Sequence, residues 1–135
     1  MTREIYEIAN TNILAFLGDA VYETFVRKHV ISSATPGTSQ DTINKRAIGY
    51  VRADAQAKVS RRLLSDNFLK PEEEKLLKRA RNKKSSSRSR SAGPLEYRLA
   101  TAFEALVGGL EEARDSERLK EIIDFAFFVL EEEKR

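Results

Sequence analysis

One continuous stretch of the chain, Asn12 to Val30, carries apolar side chains around almost its whole circumference when wound as a helix. At about 100° per residue, Ile13, Leu17, Val21 and Phe25 fall on one side. Phe16, Tyr22, Val26 and Val30 occupy much of the rest. A helix apolar nearly all round is expected at the centre of a fold, with other elements packed on every face. Asn10, Thr11 and Asn12 offer capping oxygens at its start, and SSATPGTS breaks it. One residue does not fit. Asp19 stands in the middle of ILAFLGDAVY, and an ionised carboxylate among apolar neighbours costs several kcal/mol unless something compensates it.

The rest of the chain reads the same way, so the expected fold class is all-α. Thr38 or Ser39 caps a helix through Gly49, and a further helix covers Val51 to Leu64, with Val59, Leu63 and the alanines facing inward. Pro71 suits the first turn of a helix running to about Asn82, and Glu72, Glu73 and Glu74 suit its positive end. Pro94 begins PLEYRLATAFEALVGGLEEA, and a last helix follows Asp115 or Ser116. The run from Ile122 to Leu130 is more apolar than a surface helix requires; it is core, a contact with a second copy of the chain, or both. No strand pattern competes.

A length of 135 residues fits one domain, 1–135, large enough for a real core. The absence of cysteine excludes disulfide frameworks and thiolate metal sites. MTREIYEIAN lacks the apolar run of a signal peptide, and no segment approaches the roughly 20 apolar residues of a membrane helix. The expectation is a soluble, cytoplasmic protein with no membrane partner. The net charge is only +3, but it is unevenly spread. Lys78 to Arg90 reads KRARNKKSSSRSR, with no acid, and its continuation to residue 93 is expected to be a mobile basic loop at about 83–93. A basic stripe suits a polyanion, most commonly nucleic acid.

A second acid is out of place. Leu95, Leu99, Ala102, Phe103, Leu106 and Leu110 form an apolar stripe, and Glu104 projects away from it among Ala100, Thr101 and Gly108. Those small neighbours let a backbone or a ligand come close. Glu104 is either a solvated glutamate or half of a site. Asp19 is either a buried acid satisfied by Arg27, Arg98 or a backbone donor, or the other half. If the two meet across packed helices they can hold a hard cation. Oxygen ligands with no cysteine and a single histidine favour Mg²⁺, with Mn²⁺ as a substitute. Beside a basic stripe, such a site points to phosphodiester chemistry. Glu23 is expected to pair with Arg27, and His29 to sit favourably near a helix C-terminus. Tyr22 and Tyr97 suit either the site or the core.

NTNILAFLGDAVYE, Asn10 to Glu23, resembles the signature of ribonuclease III, and LATAFEALVGGL, Leu99 to Leu110, resembles that family's second motif, F-E-A-L-x-G. LKRARNKK and YRLATAFEAL are similar to segments of the small bacterial subfamily Mini-III. The resemblance implies an all-helical endonuclease domain working as a homodimer on double-stranded RNA, by metal-activated water, leaving 5′-phosphate and 3′-hydroxyl ends. It also implies a role in maturing the large-subunit (23S) ribosomal RNA precursor, with a ribosomal protein that shapes the substrate as a further partner. Asp19 falls on the family's catalytic aspartate and Glu104 on its metal-binding glutamate.

Two family acids are absent: Ala15 and Thr101 stand where longer enzymes carry glutamate and aspartate. No room is expected for the double-stranded-RNA-binding domain that ribonuclease III usually carries. RNA binding therefore falls to Lys78, Arg79, Arg81, Lys83, Lys84, Arg88 and Arg90. The rival expectation is a non-catalytic RNA-binding or ribosome-associated helical module with a degenerate site.

Overall fold

A computed structural model of the chain describes residues 2–83 and 94–132. Seven helices run through them: α1 (Thr2–Glu7), α2 (Thr11–Ser33), α3 (Gln40–Val51), α4 (Ala53–Ser65), α5 (Pro71–Asn82), α6 (Pro94–Glu112) and α7 (Ser116–Leu130). No strand occurs among the described residues, and no helix there is long and apolar enough to cross a membrane. The all-α class follows the sequence pattern. Its local causes are visible in the caps. Asn10 Oδ1 accepts from the Asn12 and Ile13 amides, Ser39 Oγ from Thr42, and Asp115 Oδ1 from Arg118.

The hub of the bundle is not the helix the sequence pattern favours. From Leu99 to Leu110 every residue of α6 except Thr101 and Glu104 is buried, and α1, α2, α4, α5 and α7 all pack on it. The reason is size. Ala100, Ala102, Ala105, Gly108 and Gly109 let neighbours close in on every side. Helix α2 instead buries one face, with Leu14, Ala15, Gly18, Tyr22, Val26 and Val30. Its other face leaves Ile13 at 66%, Phe16 at 84% and Ile31 at 61% exposure. Periodicity counts apolar residues but does not say which of them find a partner within one chain. Leu95, assigned to the α6 stripe, is likewise half exposed.

Two other elements differ from expectation. Helix α1 is six residues long, too short for a periodic signal, yet it buries Tyr6. The break between α3 and α4 falls at Arg52 rather than before Val51. A single extended residue there (φ −58°, ψ 149°) closes one helix with its amide, which donates to the Ile48 carbonyl. It opens the next with its own carbonyl, which accepts from Gln56. Neither Gly nor Pro marks it. Most of the apolar run in α7 is core: Ile122, Ile123, Ala126, Phe127 and Val129 are buried, whereas Phe128 is about half exposed at 49%. His29 meets the end of α7: its Nε2 and the Tyr50 hydroxyl both lie 2.6 Å from Glu131 Oε2, beside the Phe127 ring. Beyond Lys83, the expected basic loop lies outside the described residues.

One buried ion pair ties α5 to α7. Arg118 Nε donates to Glu73 Oε2 at 2.9 Å and its Nη2 to Glu73 Oε1 at 2.8 Å and to the Phe68 carbonyl at 2.7 Å. Glu73 is 1% exposed and also accepts the Lys70 amide. Glu73→Ala removes the buried partner of Arg118, which keeps Glu121 at 3.0 Å and the Phe68 carbonyl, and should cost about 3 kcal/mol. A denaturant melt should show that loss. A drop below about 1 kcal/mol would mean that water compensates the arginine.

Candidate active site

Helices α2 and α6 touch backbone to backbone at two glycines. A Cβ on Gly18 would lie 1.7 Å from the Glu104 carbonyl oxygen, and one on Gly108 would lie 1.9 Å from that of Leu14. No other residue type permits this approach. Gly18 immediately precedes Asp19, and Gly108 follows Glu104 by one turn. The crossing therefore brings the two carboxyls face to face, Asp19 on the exposed rim and Glu104 half-buried below it.

Burial pushes the Glu104 carboxyl up, from an ordinary 4.5 to about 8. A hydrogen bond to Asp19 and the charge of Asp19 add to the shift, and the charge of Glu23 adds further. Glu104 thus holds its proton near neutral pH and donates it to Asp19. The one group that favours its ionised form is the amide of Gln56, whose Nε2 lies 3.5 Å from Glu104 Oε2. Arg27, a candidate partner for Asp19, bonds Glu23 instead, at 3.1 Å. Among the described residues, no basic side chain is among the main causes of the Glu104 shift. Two adjoining oxygen acids that share one proton form a ready seat for a hard divalent cation, which would displace that proton. The donor set fits Mg²⁺ or Mn²⁺.

A sign follows for stability. Between pH ~4.5 and ~8 the unfolded chain releases the Glu104 proton while the metal-free folded chain keeps it. The folded state then binds more protons, so stability falls as pH rises through that window. Melting in EDTA should decline from pH ~5 to ~8, and Glu104→Gln should remove that part of the slope. An unchanged slope in the variant would place the titration elsewhere.

The fold and this pair of motifs have a known counterpart. The model of the ribonuclease III domain matches residues 12–111, a span holding both acids and the crossing glycines. The chain belongs to the ribonuclease III family. Within that family it is similar to Mini-ribonuclease 3 of Brevibacillus brevis, 44% identical over 93% of this chain and 91% of that one. Mini-ribonuclease 3 of Clostridium tetani is 37% identical over 97% and 85%. A crystal structure of a protein from Fusobacterium nucleatum superposes with a TM-score of 0.75 at 32% identity, covering 90% of this chain and 93% of that one. The chain is a Mini-III member of the family.

In this ribonuclease III domain the positions of the two absent acids are structurally plain. Ala15 is buried and Thr101 half-buried, each one turn before its acid. Among the described residues no three His, Cys, Asp or Glu side chains converge as a metal cage. Gln56 is the site residue that sequence reading missed. It lies on α4, 48 residues from Glu104, inside a helix that reads as ordinary core, and nothing in the local sequence marks it.

The basic stripe divides. Arg79 is half-buried, donating to the Ala9 and Tyr6 carbonyls at 2.6 and 2.9 Å, so it ties α1 to α5. Lys83 Nζ donates to Asn10 Oδ1 at 3.2 Å, at the start of α2. That places the Lys83 ammonium roughly 14 Å along α2 from Asp19, at 1.5 Å per residue. Lys78 pairs with Glu74, and Arg81 donates to Asn82, both at the surface. Lys84, Arg88 and Arg90 lie outside the described residues.

Proposed function

We propose that Asp19 and Glu104 hold a divalent cation, Mg²⁺ by preference, with which this endoribonuclease cuts double-stranded RNA. The observation that carries the reading is the pairing of the two carboxyls across the glycine crossing. A cation bound there supplies an activated water and a Lewis acid for the charge developing on phosphate. Asp19, on the rim, faces the incoming phosphodiester; Glu104, below, anchors from the buried side. With Ala15 and Thr101 in place of acids, Asp19 and Glu104 would be the protein's carboxylate ligands, and water or RNA phosphate would have to supply the others.

The RNA is gripped by its backbone. Lys78, Arg81 and Lys83, with Lys84, Arg88 and Arg90 of the following segment, contact phosphates, while Arg79 holds the platform. A homodimer is supported by Ile8, Ile13 and Phe16, which leave 76%, 66% and 84% of their surface exposed on one side. A second copy, presenting the same apolar side, would cover it. The precursor of large-subunit ribosomal RNA is the expected substrate, helped by a ribosomal protein, in the cytoplasm.

The test is a gel assay on a ribosomal-precursor stem and a matched DNA duplex, with Mg²⁺ and with EDTA. Cleavage of both RNA strands should require Mg²⁺, and the DNA should survive. An RNA bound but left intact across Mg²⁺, Mn²⁺ and added ribosomal protein would instead make the chain a binding module.

A further inference from the structure

Gln56 is a buried polar residue whose hydrogen bonding is incomplete. It is 3% exposed, on the α4 face that packs against α6. Its Nε2 donates to the Val51 carbonyl at 2.9 Å, at the bend between α3 and α4, and reaches Glu104 Oε2 at 3.5 Å. Among the described residues its Oε1 is buried with no hydrogen-bond partner. An orphaned amide oxygen costs roughly 1–3 kcal/mol, a burden that a structural glutamine with no further task would not need to carry. The orientation is fixed, because exchanging oxygen and nitrogen would set two carbonyl oxygens against each other at Val51. A hydrocarbon side chain of similar size would fill the place without that cost.

We infer that Gln56 is a positioning residue for the proposed metal site: bridging from the Val51 carbonyl to Glu104, it fixes one Glu104 oxygen so that the carboxylate faces the cation beside Asp19. The inference rests on the metal reading above. A carboxylate on a flexible two-carbon stem has several rotamers, and one donor held by a rigid backbone point selects among them. The need is greater here than in a site with four acids. With Ala15 and Thr101 supplying no carboxylate, two protein ligands do the work, and each must be held from behind. Gln56 can do so without adding negative charge to a site where burial and Asp19 already oppose ionisation of Glu104. Its bond to Val51 also links the site to the α3–α4 bend.

The experiment measures Mn²⁺ binding by electron paramagnetic resonance without RNA, alongside cleavage kinetics on the stem. Gln56→Met keeps length and volume and removes the donor. It should weaken Mn²⁺ binding roughly 10–100-fold, the usual effect of losing a partner that orients a metal ligand. It should also lower kcat while leaving the KM for RNA within about twofold, and raised Mn²⁺ should restore part of the rate. Ser60→Ala is the control for packing: Ser60 Oγ bonds the Leu99 carbonyl at 2.7 Å across the same α4–α6 contact without touching Glu104. It should leave Mn²⁺ affinity unchanged. If Gln56→Met does not fold, Gln56→Asn keeps an amide too short to bridge and should show the same loss. Wild-type affinity in the folded Gln56 variant, or an equal loss in Ser60→Ala, overturns the inference. If the wild type shows no Mn²⁺ binding that Asp19→Asn and Glu104→Gln abolish, the metal reading itself fails and takes this one with it.

Discussion

Asp19→Asn and Glu104→Gln should each reduce RNA cleavage by roughly 10³-fold or more, while the folded protein still binds the RNA stem. Each replacement keeps the shape and removes one of the two anionic ligands. The cation they are proposed to hold is asked for about 4 kcal/mol of transition-state stabilisation, and each 1.36 kcal/mol is tenfold in rate. The stem's affinity should move little, because phosphate contacts made elsewhere supply it. Stability should move the other way. In the metal-free protein, Glu104 is a buried acid opposed by Asp19, so Glu104→Gln should melt higher than the wild type at pH ~8 in EDTA. Single-turnover cleavage, a filter-binding isotherm and a thermal melt check the three parts. Residual cleavage within about tenfold of wild type in both variants would remove the two acids from the chemistry.

Gly18→Ala should cost far more than an alanine normally returns to a helix. Elsewhere in a helix, replacing glycine with alanine stabilises by roughly 0.5–1 kcal/mol. Here the new Cβ would meet a backbone carbonyl at 1.7 Å, and the Glu104 backbone, at the centre of the buried hub, has nowhere to retreat. Ordinary overpacking costs about 1–3 kcal/mol, where side chains can shift; with backbone as the obstacle, about 3–5 kcal/mol is expected. Helices that separate by about 1 Å also part Asp19 from Glu104, and a misplacement of that size costs on the order of 100-fold in rate. Gly108→Ala should behave alike, meeting the Leu14 carbonyl at 1.9 Å. Gly49→Ala is the internal control: nothing lies within 4 Å of its Cβ, so it should be neutral or mildly stabilising. Chemical denaturation of the three variants gives the answer, and similar midpoints for all three would mean that the crossing is not tight in solution.

Much of this protein was legible from one dimension. Helix starts were written in local chemistry, since Asn10, Ser39, Pro71 and Asp115 act within a few residues of themselves. The two candidate acids stood out because each breaks the pattern of its own helix: Asp19 interrupts an apolar run and Glu104 stands among small residues. Gly18 and Gly108 lay in view beside them, but that they face each other is a property of two helices, not of either.

Tertiary structure decided the remainder. Periodicity made α2 the expected hub, yet the hub is α6, because alanine and glycine allow close approach on all sides while Ile13 and Phe16 stay exposed. Arg79 read as one more charge in a basic stripe, and folding set it against the Ala9 and Tyr6 carbonyls of a helix too short to register. Gln56 carried no local mark at all, since its meaning comes from Val51 and Glu104, the latter 48 residues away. The sequence by itself determined which residues must form helices and which charges cannot lie comfortably in them, because those are short-range matters of propensity and desolvation. Only the packed structure decided which of those charges meet, because that depends on where two backbones can touch.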